Sequence, residues 1–384
     1  MKRPFVLFAA LCALFLLPGC KNTGNKSALP KADDAAIRAQ LDSMTLREKV
    51  GQLFCVRPES LDPVFQRSSE GMMAYRMQAV NEETAAFAAQ YPVGGVTLFS
   101  HNIDNPGQLK AFTQAIHALP GAPLVSVDEE GGRVARVGGN LNFDVPRIPA
   151  MGKVGATGDP AKAYEAGKAI GHYLKEYGFD IDFAPVADVN TNPDNIIIGP
   201  RAFSDDPQVA APMVTNYLQG LKDAGIIGCI KHFPGHGDTK TDTHFGYAST
   251  QKTWEEMMDC EMVTFKAGIK WGCQLIMTAH IGAPNVTGSD IPSTMSSVIL
   301  QDKLRGELGY QNIIITDGME MGAITQQYSS AEAAVKSIQA GVDIVLGPKN
   351  LVEAFDAVID AVNKGTISEE RINQSVRRIL KIRQ

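Results

Sequence analysis

The chain has 384 residues, of which 44% are hydrophobic and 20% are charged, and its formal net charge is −6. This composition is typical of globular proteins and supplies ample apolar material for a large core. The charge shows no basic surplus, so we expect no nucleic-acid partner.

The N-terminus has the features of a secretion signal. Lys2 and Arg3 precede an apolar run from Phe5 to Leu17, which is too short for an ordinary membrane-spanning helix. The run ends in Leu-Pro-Gly-Cys, which resembles a bacterial lipobox, so we expect residues 1–20 to be a signal peptide and Cys20 to carry lipid. An ordinary signal peptide with a chance cysteine is the alternative.

The stretch that follows, residues 21–34, is rich in Lys, Asn, Gly, Ser and Ala and is typical of a flexible tether. We therefore expect a protein of the bacterial cell envelope, attached to the membrane only through its lipid. The outer membrane is favoured, with the domain facing the periplasm or the cell surface. Residues 35–384 are predicted to form one catalytic domain, and we expect a monomer.

Short apolar runs recur along this domain and alternate with helical or loop-rich stretches. They lie at residues 53–56, 95–99, 124–127, 181–185, 227–231, 275–279, 312–316 and 342–346. Alternating strands and helices indicate a parallel sheet, and eight such units are the number that a closed (β/α)8 barrel requires. The predicted fold is a TIM-type α/β barrel.

Several of the intervening helices are also readable. Thr45 precedes a first helix as its cap, and the later helices are predicted over 160–177, 207–225, 331–340 and 369–382. Four cysteines remain after the signal and the lipidation site, namely Cys55, Cys229, Cys260 and Cys273. Their spacing fits no zinc pattern, and buried free thiols are favoured over disulfides.

Polar side chains cluster where the predicted strands end, which is where barrel enzymes carry their catalytic groups. Each residue alone is a weak signal, since an Asp after a strand is commonly a helix cap. Together they place acidic, basic and imidazole groups around one barrel mouth. The residues are Asp128, Glu129, Glu130, Arg133, Arg136, Asp188, Arg201, Lys231, His232, His236, Asp238, Asp242, His244, His280 and Asp317.

Two of these positions suggest covalent acid–base chemistry. Asp317 follows a run of buried β-branched residues, which would hold its backbone rigidly, as a nucleophile requires. Asp242 lies two residues before His244, a spacing at which the carboxylate can hydrogen-bond the imidazole, fix its tautomer and raise its pKa. A self-capped turn is the purely structural alternative for this pair.

The same residues resemble the family 3 β-N-acetylglucosaminidases, the NagZ-like group. The run from Lys231 to Thr239 reads Lys-His-Phe-Pro-Gly-His-Gly-Asp-Thr and is followed by Asp-Thr-His at 242–244. The segment 127–136 resembles that family's Asp-X-Glu-Gly-Gly-Arg-Val motif, and residues 201–207 resemble its Arg-Ser-Phe-type loop. The resemblance covers residues from about 40 to the C-terminus.

The resemblance implies a retaining, exo-acting enzyme that removes terminal β-linked N-acetylglucosamine through a covalent glycosyl–aspartate. It implies that Asp317 is the nucleophile and that His244, assisted by Asp242, is the general acid and base. The residues that it assigns to the hydroxyls of the terminal sugar are Asp128, Arg136, Arg201, Lys231 and His232. It implies neither a metal nor an organic cofactor. The expected substrates are peptidoglycan fragments or chitin-like oligosaccharides.

Alternatives remain. On the same fold they are a β-glucosidase, or a phosphorylase in which phosphate replaces water as the acceptor of N-acetylglucosamine. The Asp-Thr-His loop favours the acetamido sugar over glucose. A non-catalytic glycan-binding lipoprotein would be expected to lack Asp317 or the Asp242–His244 pair, and all three are present. A metal-dependent hydrolase that uses His232, His236 and His244 is a further rival.

Two positions depart from the family pattern. Gly318 stands where Ala or Asp is more frequent, so it could loosen the loop after the nucleophile or admit a closer contact. Glu129 stands where Gln or His is frequent. Neither change removes a catalytic group, so we expect any effect to fall on substrate choice.

Overall fold

The structure, a computed structural model, describes residues 31–64, 76–239 and 248–384. The predicted signal, Cys20 and most of the tether lie outside these residues. Within the described ranges, no helix is both long and apolar enough to cross a bilayer.

A parallel sheet of eight strands forms the centre of the molecule. In barrel order from the first, these strands are β1 (Phe54–Val56), β2 (Gly95–Leu98), β3 (Leu124–Val127), β4 (Ile181–Asp182), β5 (Ile227–Phe233), β7 (Leu275–Thr278), β9 (Ile313–Thr316) and β10 (Val345–Leu346). β1 pairs with β10, and a parallel bridge between Ile315 and Ile344 joins the last two strands. The sheet therefore closes on itself, which confirms the predicted (β/α)8 barrel.

Helices surround the strands and bury their outer faces. They are α1 (Lys31–Ser43), α2 (Leu46–Gln52), α3 (Glu82–Gln90), α4 (Pro106–His117), α5 (Met151–Gly155), α6 (Pro160–Glu176), α7 (Pro207–Asp223), α8 (Trp254–Asp259), α9 (Glu261–Trp271), α10 (Pro284–Thr287), α11 (Gly322–Thr325), α12 (Ser330–Ala340), α13 (Leu351–Asn363) and α14 (Glu369–Lys381). A π-helical segment, Val298–Glu307, precedes β9. Thr45 caps α2 in a capping box with Glu48, as the sequence predicts.

Two short strands lie outside the barrel and were not predicted. β6 (Ala248–Ser249) pairs in parallel with β8 (Ile281–Gly282), so a separate two-stranded ribbon sits beyond the ends of β5 and β7. Cys55, Cys229 and Cys273 are buried free thiols, and Cys260 is a partly exposed one. The preference for free thiols over disulfides is thereby confirmed for these four residues.

A cluster of charged residues closes the opposite end of the barrel, where β10 begins. The buried carboxylate of Asp343 accepts from Arg305 at 2.6 Å, from Arg378 at 3.0 Å and from Ser375 at 2.6 Å. Arg371 lies 3.7 Å from it. Because Arg371, Ser375 and Arg378 all belong to α14, this cluster fastens the last helix to the floor of the barrel.

Candidate active site

The predicted site residues of the described chain gather at one end of the barrel because its strands are parallel. Asp128 follows β3, Lys231 and His232 lie in β5, and Asp317 follows β9. Arg201 reaches the same end from the long loop after β4. This end contains the carboxyl termini of the strands, the usual position of catalytic groups in this fold.

An alternating network of charges occupies the centre of this end. Lys231 Nζ lies 2.6 Å from Asp128 Oδ1 and 2.6 Å from Glu130 Oε1. Arg201 donates two hydrogen bonds to Glu130, each of 2.8 Å. The side chains of Lys231 and Glu130 are each only 2% exposed. Buried charges are tolerated only when they are paired and hydrogen-bonded, a condition that this two-by-two arrangement meets.

The pairing fixes the protonation states within this network. Burial alone would favour neutral Lys231 and neutral Glu130. The two carboxylates of Asp128 and Glu130 outweigh it for the lysine and raise the pKa of Lys231 above its ordinary range. Arg201 and Lys231 likewise lower the pKa of Glu130 below its usual value. The centre of the mouth therefore holds permanent, balanced charges that can bind neutral hydroxyl groups.

His232 is oriented by a buried carboxylate. Its Nδ1 lies 2.6 Å from Asp188 Oδ2, and the same carboxylate accepts from the backbone N–H groups of His232 and His236. Burial opposes ionisation of Asp188, but the neighbouring His232 outweighs it and lowers the pKa of Asp188. The second ring nitrogen of His232, Nε2, lies 3.3 Å from Arg201 Nη2.

Asp317 is held by its backbone as well as by its carboxylate. Its N–H donates to the carbonyl of Thr278 at 3.0 Å, and its Oδ1 accepts from the N–H of Gly318 at 2.8 Å. Burial raises the pKa of this carboxyl group, but His232, His280 and the Gly318 N–H outweigh burial and lower the pKa from 3.8 to about 2. Asp317 is therefore an ionised, fixed carboxylate at neutral pH, the state that a nucleophile needs.

His280 fixes the peptide bond that follows Asp317. It is fully buried, and its Nε2 lies 2.9 Å from the carbonyl oxygen of Gly318, to which it donates. Its Nδ1 lies 2.9 Å from the hydroxyl of Thr294. Because a carbonyl can only accept, this geometry assigns the proton to Nε2. The imidazole thus supports the backbone beside the predicted nucleophile.

The lowered pKa of Asp317 predicts how stability depends on pH. A carboxyl group whose folded pKa is depressed stabilises the fold above its ordinary pKa, and this contribution disappears as pH falls through the folded pKa. We expect the difference in free energy of unfolding between wild type and Asp317→Asn to be constant above pH 3.8 and to shrink between pH 3.8 and about 2. Urea unfolding at a series of pH values measures it. A difference that grew on acidification would contradict the assigned direction.

Gly318 admits a close contact with Glu320, which is the second of the two effects expected for this glycine; the other was a loosened loop. A Cβ at this position would lie 2.9 Å from Glu320 Oε2, and one at Gly347 would lie 2.3 Å from the same atom. Glu320 accepts from Arg57 Nε at 3.0 Å, and the Arg57 guanidinium stacks 4.0 Å above the ring of Phe99. The small residue thus lets the loop after β9 fasten to the loops after β1 and β2.

The Glu129 side chain is hydrogen-bonded to the backbone of the loop that follows β3. It is fully buried and accepts from the backbone N–H groups of Arg136, Val137 and Gly138 at 2.6, 2.9 and 2.8 Å. Tyr173 donates to it as well, at 2.9 Å. Burial raises the pKa of Glu129, and these donors oppose that rise. Glu129 therefore acts on the site through the backbone of Arg136.

This arrangement agrees with a comparison of the sequence with known families. Residues 45–382 match the glycosyl hydrolase family 3 N terminal domain. The chain belongs to glycosyl hydrolase family 3. The match covers nearly all of the described barrel, so the network and Asp317 lie within the domain that defines this family of glycoside hydrolases.

Several relatives of this family 3 chain are named beta-hexosaminidases. A beta-hexosaminidase from Nitrosospira multiformis is 37% identical over 261 residues, which cover 66% of this chain and 73% of the relative. Beta-hexosaminidase A from Pseudoalteromonas piscicida is 31% identical over 341 residues, which cover 80% of this chain and 56% of the relative. This chain therefore spans little more than half the length of that second protein.

A solved structure shows the same barrel. A family 3 β-N-acetylglucosaminidase from a Paenibacillus species superposes with a TM-score of 0.80 and 34% sequence identity. The superposition covers 89% of this chain and 62% of that one. The family and the fold predicted from the sequence are thus both confirmed.

The structure brings together most of the predicted site residues of the family 3 barrel. One connected network of ion pairs and hydrogen bonds contains Asp128, Arg201, Lys231 and His232. Two of its members, His232 and Lys231, lower the pKa of Asp317. Arg136 stands apart from these ion pairs: its guanidinium carbon lies 5.9 Å from the centre of the Phe99 ring. Its Nε has no hydrogen-bond partner among the described residues. Asp242 and His244 lie outside the residues that the structure describes.

Five further residues support the site. Glu130, Asp188 and His280 stood among the strand-end residues of the sequence without a role, and Arg57 and Glu320 were not singled out. Each of them holds a predicted site residue or the loop that carries it. A buried lysine requires a carboxylate partner, and that requirement could have linked Glu130 to Lys231.

Proposed function

We propose that this family 3 protein is a retaining, exo-acting β-N-acetylglucosaminidase. The observation that carries the proposal is the ionised carboxylate of Asp317, fixed at a strand end beside a charge-balanced network. The names of the beta-hexosaminidase relatives and of the β-N-acetylglucosaminidase structure support the acetamido sugar as substrate. The proposed substrates are peptidoglycan fragments or chitin-like oligosaccharides with terminal β-linked N-acetylglucosamine.

In the proposed first step, an Asp317 oxygen attacks the anomeric carbon of the terminal sugar. The bond from that carbon to the glycosidic oxygen breaks, and His244 gives its proton to the departing oxygen. In the second step His244 removes a proton from water, whose oxygen displaces Asp317 and releases the sugar with its original configuration. Asp242 would hold the imidazole in the required tautomer. Asp128, Lys231, Arg201 and His232 would hold the hydroxyl groups, with Arg136 at the rim.

The first experiment compares p-nitrophenyl β-N-acetylglucosaminide with p-nitrophenyl β-glucoside as substrates of the full chain. We expect kcat/KM to favour the acetamido sugar by at least about tenfold, the equivalent of one well-placed hydrogen bond. A preference for glucose would contradict the link between the Asp-Thr-His segment and the acetamido group. NMR of the first product tests the stereochemistry, since a double displacement releases the β anomer.

Adding inorganic phosphate to the same assay separates hydrolysis from phosphorolysis. A hydrolase releases free N-acetylglucosamine at every phosphate concentration. A phosphorylase releases the sugar 1-phosphate in amounts that rise with phosphate, and this outcome would replace water as the acceptor in the second step. We propose hydrolysis because the network of the described mouth pairs each cation with a carboxylate, which leaves neither Lys231 nor Arg201 free to attract an anion.

We also propose that the protein is anchored in the cell envelope through lipid on Cys20. The proposal is supported by the charged, apolar and Leu-Pro-Gly-Cys segments of residues 1–20. Expression of wild type and Cys20→Ala in a bacterium, followed by separation of membranes, provides the test. We expect the wild type in the membrane fraction, labelled by radioactive palmitate. Equal labelling of the variant would refute the anchor.

A further inference from the structure

Arg57 and Glu320 form a mostly buried ion pair at the barrel mouth. Arg57 follows β1 and Glu320 follows β9, so the pair joins two loops that are distant in the sequence. Arg57 Nε donates to Glu320 Oε1 at 3.0 Å, and Arg57 Nη2 donates to the same oxygen. The two side chains are only 18% and 13% exposed. Because removal of either partner would leave the other charge shielded from water and uncompensated, each side chain holds the other in place.

The arginine has a second fixed contact, on the loop after β2. Its guanidinium carbon lies 4.0 Å from the centre of the Phe99 ring. That loop is held in turn by Glu59, a buried carboxylate that accepts from Asn102 Nδ2 at 2.6 Å and lies 3.1 Å from His101 Nε2. The loops after β1 and β2 are thus joined twice, so Arg57 is a rigid support for the carboxylate that it binds.

The other end of the pair lies against the backbone beside Asp317. Glu320 Oε2 is buried, has no hydrogen-bond partner among the described residues, and occupies the space that a Cβ at Gly318 or Gly347 would need. The N–H of Gly318 donates to Asp317 Oδ1 at 2.8 Å. A shift of Glu320 would therefore displace the peptide group that orients the carboxylate of Asp317.

We propose that Arg57 and Glu320 are positioning residues that direct the Asp317 carboxylate at the anomeric carbon. The inference rests on the proposed function, in which Asp317 is the nucleophile. Such an attack needs reacting atoms about 3–3.5 Å apart, and a displacement of about 1 Å can reduce the rate by about 100-fold. Neither residue forms a hydrogen bond or ion pair with Asp317 within the described ranges, so the effect passes through the Gly318 peptide.

The network that binds hydroxyl groups in the proposed function is built on other strands. Its charged members lie in β5 or follow β3 and β4, and they are Asp128, Glu130, Arg201 and Lys231. In the part of the chain that the structure describes, no hydrogen bond or ion pair joins them to Arg57 or Glu320. Loss of the pair should therefore slow the attack on the sugar and leave the binding of the sugar nearly unchanged.

The test isolates the nucleophilic step with a β-N-acetylglucosaminyl fluoride that carries a second fluorine on C5. An Asp317 oxygen bonds to the anomeric carbon, and fluoride leaves with the bonding electrons. Fluoride needs no protonation, so the step does not depend on His244. Inactivation of the full chain at several inhibitor concentrations gives a dissociation constant and a rate constant for adduct formation, and mass spectrometry of peptides locates the adduct.

We expect Arg57→Met to lower the rate constant of adduct formation by about tenfold and to change the dissociation constant by less than about twofold. Arg57→Lys keeps the charge without the planar group of donors and is expected to lose about threefold. A role in folding alone would move neither constant of the folded protein. A wild-type rate constant in Arg57→Met, or a loss confined to the dissociation constant, would overturn the proposed positioning.

Arg47→Met is the matched control. Arg47 also pairs with a carboxylate, Asp356 at 3.7 Å, and its guanidinium carbon also lies near an aromatic ring, 4.7 Å from the centre of Tyr91. It belongs to α2, which precedes the first strand. We expect wild-type inactivation of this variant. A loss equal to that of Arg57→Met would show that the effect is not specific to the mouth and would refute the inference.

Glu320→Gln tests the same contact from its other end and replaces Arg57→Met if the latter shows no cooperative thermal transition. In the double variant we expect no loss beyond that of the larger single variant, because both residues act through one contact. Losses that multiply would contradict this. Failure of the proposed function has a different signature: the wild type itself would acquire no adduct on Asp317, and the positioning role would fall with the nucleophile.

Discussion

Replacement of Asp317 by asparagine is expected to lower kcat/KM on β-N-acetylglucosaminides by about 10⁴-fold or more, because the amide cannot form the covalent bond to the sugar. Asparagine has the same shape, and its oxygen can still accept from the N–H of Gly318. The fold should therefore survive. The measurements are kcat/KM on the nitrophenyl substrate and the circular dichroism spectrum of the variant.

Asp302→Asn provides the matched control, since Asp302 is exposed on the π-helical segment. We expect it to retain full activity. Activity of Asp317→Asn above about 1% of wild type would contradict the assigned nucleophile. Loss of the native spectrum in Asp317→Asn would show that the carboxylate is needed for folding, and the kinetic comparison would then pass to Asp317→Glu, which moves the charge without removing it.

Replacement of Asp343 by asparagine is expected to lower the stability of the fold and to leave the activity of the folded protein nearly unchanged. Asp343 is fully buried and faces Arg305, Arg371 and Arg378 at the end of the barrel remote from Asp317. Removing one partner of a buried charge cluster leaves the others unpaired and destabilises a fold by about 3–5 kcal/mol. Urea unfolding should show this loss, while kcat/KM of the folded variant at low temperature stays within about twofold of wild type.

Asp360→Asn is the control for this variant. It breaks a pair with Lys364 in which both side chains are more than half exposed, so we expect a change in stability below about 1 kcal/mol. A loss of less than about 1 kcal/mol in Asp343→Asn as well would mean that α14 is held by its apolar face and that the arginines contribute little.

The barrel could be predicted because its strands are short, apolar and regularly spaced. The predicted run 275–279 differs from β7, Leu275–Thr278, by one residue, and the predicted helix 160–177 differs from α6 by one residue. β6 and β8 were missed because each has two residues and neither lies in a longer apolar run of the kind that marked the equally short β4 and β10. The predicted run 342–346 also began too early, since Asp343 faces the cluster below the barrel while β10 starts at Val345.

Site residues could be predicted where the position of a single residue in the sequence indicates its role. Pairs of residues that are distant in the sequence could not be predicted. Asp317 and Lys231 could be singled out because Asp317 follows β9 and Lys231 lies near the end of β5. The partnership of Arg201 with Glu130 joins positions 71 residues apart, and Lys231 and Asp128 lie 103 apart. Such pairings follow from the closure of the barrel and leave no local pattern. The same holds for Arg57 and Glu320, which meet only because β1 and β9 end at the same face.

The balanced network has a consequence for inhibition. Asp128 and Glu130 are matched by Lys231 and Arg201, while Asp317 faces the mouth with no lysine or arginine within salt-bridge distance among the described residues. Its carboxylate keeps its charge far below neutral pH. A sugar ring that gains positive charge during bond cleavage is therefore stabilised there, whereas the neutral ground state is not. By the same logic, an amino-sugar analogue with a protonated ring nitrogen should bind this barrel more tightly than the neutral sugar whose shape it copies.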